Sequence, residues 1–228
     1  MAPKTTATYK YNPLRLGEVR ILHLQPGDTD DSIRVDISHE QLRDARPYRA
    51  LSWQWGVEKL QYPIRVMDMP VASSSSTRGE DGEAAHTLLV NKNLLLALKC
   101  IRHNNKVVRL WVDAICIDQI EKGDERTKQQ MKNSEKSEQV KLMTKIFGDA
   151  DEVNVWLGEE EDDSDRAFDF VHEVIRVDDS NYIASLERRI NDNYKKLGDG
   201  IRPFINLLKR GWFSRRWVVQ VRGTSSYE

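Results

Sequence analysis

The amino-acid sequence predicts an α/β protein with a mostly parallel sheet flanked by helices. Short apolar segments typical of strands alternate with segments whose apolar residues recur at helical spacing. Residues 107–117 form the most apolar run of the chain, as expected of a central strand covered on both faces. No internal repeat is visible, and 228 residues suffice for one core. We therefore predict a single domain over residues 1–228.

The strands are predicted from alternating or continuous apolar residues that end at glycine, proline or polar turn residues. They cover residues 18–24, 33–37, 48–56, 63–71, 107–117 and 153–157. The N-terminal strands therefore fall between residues 9 and 71. Residues 72–86 are mostly small and polar and contain glycine, which predicts a mobile surface loop within the domain.

The helices are predicted from apolar residues that recur at three- and four-residue spacing. They cover residues 91–103, 140–150, 159–175, 184–197 and 201–209. The acidic residues 159–165 are favourable at the positive amino end of the third of these helices. Residues 212–221 form a last element that is dominated by tryptophan and valine.

The composition argues against several classes of site and partner. The 35 basic and 36 acidic residues give a net charge of -1, so nothing favours nucleic acid or an anionic membrane as the main partner. Cys100 and Cys116 make neither a disulfide framework nor a metal knuckle, and we expect Cys116 to be buried. The acidic run 159–163 is interpreted as a solvated loop, so no metal site is predicted. No signal peptide or membrane span is visible, which predicts a cytoplasmic protein.

Three sequence blocks carry a resemblance to a known family. They are YRALSWQWG at residues 48–56, LWVDAICIDQ at residues 110–119 and WFSRRWVVQ at residues 212–220. In this order they are similar to Y-x-A-L-S-Y-x-W-G, L-W-I-D-A-L-C-I-N-Q and W-F-x-R-x-W-x-x-Q-E of the fungal heterokaryon incompatibility (HET) domain. The chain resembles this family over residues 9–221, and the Glu-Arg pair of the family is matched to Glu135 and Lys136.

The resemblance implies a fold and an activity. HET domains look like distant relatives of TIR domains, which implies a TIR-like, flavodoxin-like core over residues 48–224 with HET-specific insertions. Many TIR domains cleave NAD at the nicotinamide–ribose bond, so NAD or NADP is the implied substrate, with no tightly bound cofactor. The catalytic glutamate belongs at position 221, where this chain has Val221. That valine fits a natural loss, an engineered change or a foreign carboxyl-terminal segment.

The first group of candidate site residues follows the predicted strands. Ser52, Gln54, Trp55 and Gly56 end an apolar strand, and ligands of open α/β sheets gather at such ends, so we expect these residues to line a nucleotide site. The alternative is core packing for the tryptophan and a turn for the glycine. Asp113 is the candidate catalytic residue. Its alternative is a structural cap, because a carboxylate there needs a donor from a loop amide, an arginine or a ligand hydroxyl.

A second group of candidates rests on the resemblance and on helical spacing. It consists of Asp118, Glu135, Arg216, Trp217 and Gln220. Gln220 lies one helical turn beyond Trp217, so both are expected to face one site. The alternative for Glu135 is a favourable charge at a helix amino end, and for Arg216 it is stacking or ion pairing.

These observations predict a module that triggers fungal cell death in heterokaryon incompatibility, with a TIR-like NAD-hydrolysing site impaired by Val221. The alternative is a non-enzymatic assembly or adaptor module that recruits other cell-death signalling proteins. In both cases self-association or a signalling partner is expected. A nucleic-acid-binding domain is a third interpretation, which rests only on tryptophan and arginine near the end of the chain.

Overall fold

A computed structural model of the protein describes residues 8–56, 59–67, 86–119, 135–175 and 194–214. These residues fall into two compact units, one that ends at Trp156 and one that begins at Leu157. Strands and helices are both present, which confirms the α/β class. The single domain over residues 1–228 stays a prediction. Within the described ranges, no helix has both the length and the apolar character needed to cross a membrane.

The first unit contains one sheet with the strand order β5-β4-β2-β1-β6-β3-β7. Its strands are β1 (Glu18–Leu24), β2 (Arg34–Gln41), β3 (Arg49–Ser52), β4 (Tyr62–Val66), β5 (His86–Val90), β6 (Val108–Trp111) and β7 (Glu152–Val155). β3 lies between β6 and β7 and runs parallel to both. The carboxyl ends of these three strands therefore meet at one edge of the sheet.

The sheet is mixed, because it contains both parallel and antiparallel strand pairs. β1 is antiparallel to β2 and β6, and β4 is antiparallel to β5, whereas β2 and β4 are parallel. β1 and β2 follow each other through the short segment 25–33, which is too short for the crossover that a parallel pair requires. Only the half formed by β6, β3 and β7 is parallel throughout, and there the connections contain helices.

Five helices are described: α1 (Lys92–Ile101), α2 (Asp113–Cys116), α3 (Glu135–Gly148), α4 (Ser164–Ile175) and α5 (Tyr194–Leu208). Single turns of 3-10 helix occupy Leu42–Asp44 and Gly211–Ser214. α1 begins where the side chain of Asn91 accepts a hydrogen bond from the backbone N–H of Leu94, and it buries Leu94, Ala97 and Leu98. α4 and α5 pack against each other in the second unit.

The predicted central strand 107–117 is wrong in its second half. β6 ends at Trp111, and α2 begins at Asp113. The carbonyl oxygen of Val112 accepts hydrogen bonds from the N–H groups of Ile115 and Cys116, so the chain turns although it stays apolar. Continuous apolar sequence does not distinguish a strand from a buried helical turn. The strand predicted at residues 48–56 is shorter for a similar reason and ends at Ser52.

Several boundaries differ from those predicted. The loop predicted at 72–86 ends early, because His86 begins β5; residues 72–85 lie outside the described residues. β5 was missed because its apolar residues run almost directly into those of α1. The helices predicted at 184–197 and 201–209 are one helix from Tyr194 onward, which passes through Gly200. The acidic residues 159–163 are exposed, as predicted for a surface loop, whereas the helix predicted from residue 159 begins at Ser164.

Candidate functional site

The carboxyl edge of β6, β3 and β7 gathers the most distinctive side chains of the first unit. The residues that follow β3 are Trp53, Gln54, Trp55 and Gly56, while Asp113 follows β6 and Trp156 follows β7. The amino end of α1, with Asn91 and Asn93, is hydrogen-bonded to the same place. We call this group of residues the carboxyl-edge cluster.

A single carboxylate binds two indoles at the centre of the cluster. The Nε1–H of Trp53 donates to Asp113 Oδ1 at 2.7 Å, and that of Trp55 donates to Oδ2 at 2.8 Å. Oδ1 also accepts the backbone N–H of Ala114 at 2.8 Å. Asp113 is 8% exposed, so these bonds are made largely out of water, where charge-assisted hydrogen bonds are strong. The carboxylate holds the two rings in one arrangement.

The two indoles lie one over the other. Their centroids are 5.7 Å apart and the ring planes differ by 22°. Trp53 is 1% exposed and belongs to the core, whereas Trp55 is half-buried. The outer ring therefore combines an accessible surface with a fixed orientation.

The loop after β3 is held by asparagines from α1. Asn91 Nδ2 donates to the carbonyl oxygen of Trp55, and Asn93 Nδ2 donates to that of Gln54 at 2.8 Å. Gly56 has a φ of 68°, in the left-handed region that favours glycine, so the chain turns away immediately after Trp55. Backbone and ring of Trp55 are thus both constrained.

Trp156 extends the cluster to β7. Its backbone N–H donates to the carbonyl oxygen of Ser52 at 2.9 Å, and its Nε1–H donates to Asn93 Oδ1 at 2.7 Å. Three indoles thus direct their N–H groups to protein acceptors. Trp53 is buried, whereas Trp55 and Trp156 are half-buried and keep some accessible ring surface.

A second buried cluster lies beside α2 and the start of α3. The guanidinium of Arg20, which is fully buried, binds both carboxylate oxygens of Glu135 at 2.6 and 2.9 Å. It also donates to the carbonyl oxygens of Cys116 and Asn12 and lies over the ring of Tyr11. We call this group the Arg20 cluster.

The carboxylate of Glu135 is held by an ion pair and by backbone hydrogen bonds. Burial by itself would raise the pKa of Glu135, but the hydrogen bonds and the charge of Arg20 lower it. Its oxygens also accept the backbone N–H groups of Leu14 and Asp118, each at 3.3 Å. The ion pair therefore joins the amino-terminal segment, the chain after α2 and the start of α3.

The thiol of Cys116 is buried, as predicted. Burial raises its pKa to about 12, so the reactive thiolate is scarce at neutral pH. Its sulfur accepts the backbone N–H of Val112 at 3.3 Å. Packing accounts for this cysteine without a catalytic role.

A sequence model of one family, described as heterokaryon incompatibility protein (HET), matches residues 48–220. The chain belongs to the HET family. It is 27% identical over 246 aligned residues to "Heterokaryon incompatibility protein 6, OR allele" of Neurospora crassa. That alignment covers 93% of this chain and 33% of the relative, so the chain spans about a third of the relative's length. No solved structure matches it.

The structure brings one group of the predicted site residues of this HET chain together. Gln54, Trp55, Gly56 and Asp113 belong to the carboxyl-edge cluster, and Ser52 ends β3 directly before it, where its carbonyl oxygen accepts the N–H of Trp156. The expected backbone donor to Asp113 is Ala114, which lies in α2 rather than in a loop, and the indole donors Trp53 and Trp55 were not expected. Ser52 is buried and Gln54 is exposed.

The second group of predicted residues is divided. Asp118 and Glu135 are joined by a backbone hydrogen bond and belong to the Arg20 cluster rather than to the indoles. Arg216, Trp217, Gln220 and Val221 lie outside the described residues. Their predicted roles stay predictions.

Five residues of these clusters were not predicted from the sequence: Trp53, Asn91, Asn93, Trp156 and Arg20. Asn91 had a usable signal, since asparagine directly before an apolar helical pattern is a typical N-cap. Arg20 had a weaker one, because it shares a strand face with Leu22 and Leu24, and a charge on an apolar face needs a buried partner. Nothing local indicated that Asn93 binds Trp156, since these residues are 63 positions apart.

Proposed function

We propose that this chain is the signalling module of a heterokaryon incompatibility protein and triggers fungal programmed cell death when it self-associates or meets a signalling partner. Membership of the HET family supports this proposal, as does the name of the Neurospora crassa relative.

The carboxyl-edge cluster is the proposed binding site for a nucleotide, NAD or NADP. The observation that carries this proposal is the pair of stacked indoles that Asp113 fixes at the carboxyl ends of parallel strands. Ligands of open α/β sheets bind at such ends, and aromatic surfaces with a few fixed polar groups are typical of small-molecule sites. The resemblance to TIR domains supports the same choice of ligand.

The proposed reaction is cleavage of the nicotinamide–ribose bond, which this chain performs poorly. Bond breaking develops positive charge on the ribose, and a nearby carboxylate stabilises that charge. Position 221 carries a valine, which supplies no charge. The carboxylate of Asp113 already accepts two indole N–H groups and a backbone amide, so it holds the site together instead of replacing the glutamate. Loss of such a charge partner lowers the rate by about 10² to 10³.

The test compares nicotinamide release from NAD by the parent chain, Val221→Glu and Val221→Gln. The glutamine variant is the matched control, because it has the shape of glutamate without its charge. We expect a gain of about 10²-fold or more for the glutamate variant alone. The measurement is repeated with NADP and over rising protein concentration. An equal rate for the two variants would remove the argument for a catalytic carboxylate at this position.

The second candidate is a non-enzymatic assembly module in cell-death signalling. The engagement of Asp113 by Trp53 and Trp55 favours it, because no other carboxylate belongs to the cluster among the residues that the structure describes. Light scattering of the same protein samples separates the two candidates. If the Val221→Glu variant self-associates but releases no nicotinamide, the adaptor function is the correct one.

A further inference from the structure

We propose that the indole of Trp55 is the stacking platform for the planar ring of the bound nucleotide, and that Asp113 is the residue that positions it. The inference rests on the proposed nucleotide-binding function and names the ligand group that the site recognises. That group is a planar heteroaromatic ring, which both the nicotinamide and the adenine of NAD provide. Asp113 acts through Trp55 and does not touch the reacting bond.

The geometry leaves one part of the Trp55 ring for a ligand. The face toward Trp53 is covered by the stacked indole, and the N–H edge is bound to Asp113 Oδ2 at 2.8 Å. Trp55 nevertheless stays half-buried rather than fully buried. Its accessible surface therefore lies away from Trp53 and from the bound edge, and the proposal places the planar ring of the ligand there.

The ring is fixed before any ligand arrives. A free indole on a loop would lose rotational freedom on binding, which weakens affinity. Here Asp113 holds the N–H, Trp53 supports the face, and Asn91 binds the carbonyl oxygen of Trp55 itself. The cost of ordering has already been met by folding, so stacking is available at nearly its full strength.

The substitution Asp113→Asn tests the positioning role with almost no change in size. An asparagine has one acceptor oxygen and one N–H₂ group. Its oxygen is expected to stay with the two donors at Oδ1, Trp53 and Ala114, so the amide nitrogen faces the indole N–H of Trp55. Two donors then oppose each other and the Trp55 ring is released.

The experiment measures the binding of nicotinamide mononucleotide, AMP and ribose 5-phosphate to the parent chain by calorimetry. The first two probes carry different planar heteroaromatic rings, and the third carries only the sugar phosphate. We expect at least one ring-bearing probe to bind more tightly than ribose 5-phosphate. The preferred probe identifies which ring lies on Trp55.

Three variants locate the ring. We expect Trp55→Ala to weaken the preferred probe about 10- to 100-fold, as for other aromatic–base stacks. Trp55→Phe retains a ring and is expected to lose less. Tyr62→Ala is the matched control, because Tyr62 is an exposed aromatic residue on β4, outside the cluster, and its loss should leave binding unchanged.

A double-mutant comparison separates positioning from general damage. Asp113→Asn is expected to weaken ring binding in the parent background but much less in the W55F background, since phenylalanine has no N–H to be opposed. Binding of ribose 5-phosphate should stay unchanged in all folded variants. Thermal unfolding of each variant shows whether it is folded. If Trp55→Ala does not fold, the comparison of D113N in the parent and W55F backgrounds still tests the inference.

Two outcomes would overturn the inference: no preference of the parent chain for ring-bearing probes, or equal ring affinity in the parent, W55F and D113N proteins. Nicotinamide release by V221E tests the proposed NAD cleavage independently of ring binding. Ring binding that depends on Trp55, together with no nicotinamide release by V221E, keeps the platform and rejects the hydrolase. Nicotinamide release by V221E that is indifferent to Trp55 keeps the hydrolase and rejects the platform.

Discussion

At the scale of single residues, buried charges join parts of the chain that are far apart in sequence. Arg20 and Glu135 are 115 positions apart and form a two-pronged ion pair. Such a pair adds little net stability over apolar packing, but the loss of one partner leaves the other charge buried without compensation. Asp113 likewise joins Trp53 and Trp55 to a distant part of the chain by accepting their indole N–H groups. In both clusters the charged group specifies the arrangement of its neighbours.

The substitution Glu135→Gln tests the Arg20 cluster. We expect it to lower the free energy of unfolding by about 3 kcal/mol, the lower end of the range for broken buried pairs, because Glu135 is partly accessible while Arg20 is not. Urea unfolding followed by circular dichroism measures the change. Glu138→Gln on the same helix is the control, since its ion pair with Lys141 is exposed and should contribute less than about 0.5 kcal/mol.

At the scale of elements, the second unit depends on close packing between α4 and α5. The rings of Phe170 and Phe204 lie 5.4 Å apart between the two helices. Gly200 sits opposite Phe170, and a Cβ atom there would lie 2.9 Å from Cδ2 and 3.0 Å from Cβ of that phenylalanine. The glycine that weakens α5 by propensity therefore permits its closest contact with α4.

The substitution Gly200→Ala measures this contact. Alanine favours a helix over glycine by about 1 kcal/mol, but overpacking costs about 1 to 3 kcal/mol, and the Cβ of Phe170 cannot swing away. We therefore expect a net loss of stability on chemical unfolding. Gly148→Ala, at the end of α3, meets no atom within 4 Å and should be neutral or slightly stabilising. If both variants gained stability, the close helix packing would be refuted.

At the scale of the whole molecule, several shifted pKa values act in the same sense on acidification. Burial, with nearby arginines, lowers the pKa of His23 and His39 below 6.5. For Glu40, burial opposes the shift, but the hydrogen bond and charge of Arg109 lower its pKa to about 2. The pKa of Glu135 is lowered as well. The folded protein thus binds fewer protons than the unfolded chain, so stability falls as the pH falls.

The expected pH profile has two acid stages. Protonation of the histidines lowers the free energy of unfolding as the pH falls from about 6.5. Protonation of the carboxylates lowers it further below about pH 4.5. Urea unfolding at pH 7, 5.5 and 4 checks the profile. His23→Gln should flatten the first stage. Stability that rises between pH 7 and 5.5 would contradict the assignment.

Local sequence patterns determined a substantial part of this structure. The alternation at residues 18–24 predicted β1 to the residue, and the helical spacing after Asn91 predicted α1 within two residues at its carboxyl end. Tryptophans and polar residues at strand ends indicated several residues of the carboxyl-edge cluster. These features are encoded by neighbours in sequence, because strand and helix periodicities act over a few residues.

Tertiary structure decided the rest. The sequence could not place β6 between β1 and β3, because strand order depends on how distant segments pack and no periodicity records it. The same limit hid the partner of Arg20 and the two indoles of Asp113, which lie 60 and 58 positions away. The sequence shows that a buried charged or polar residue needs a hydrogen-bonding partner. Only the folded chain shows which partner it has, since a hydrogen bond requires two groups within about 3 Å.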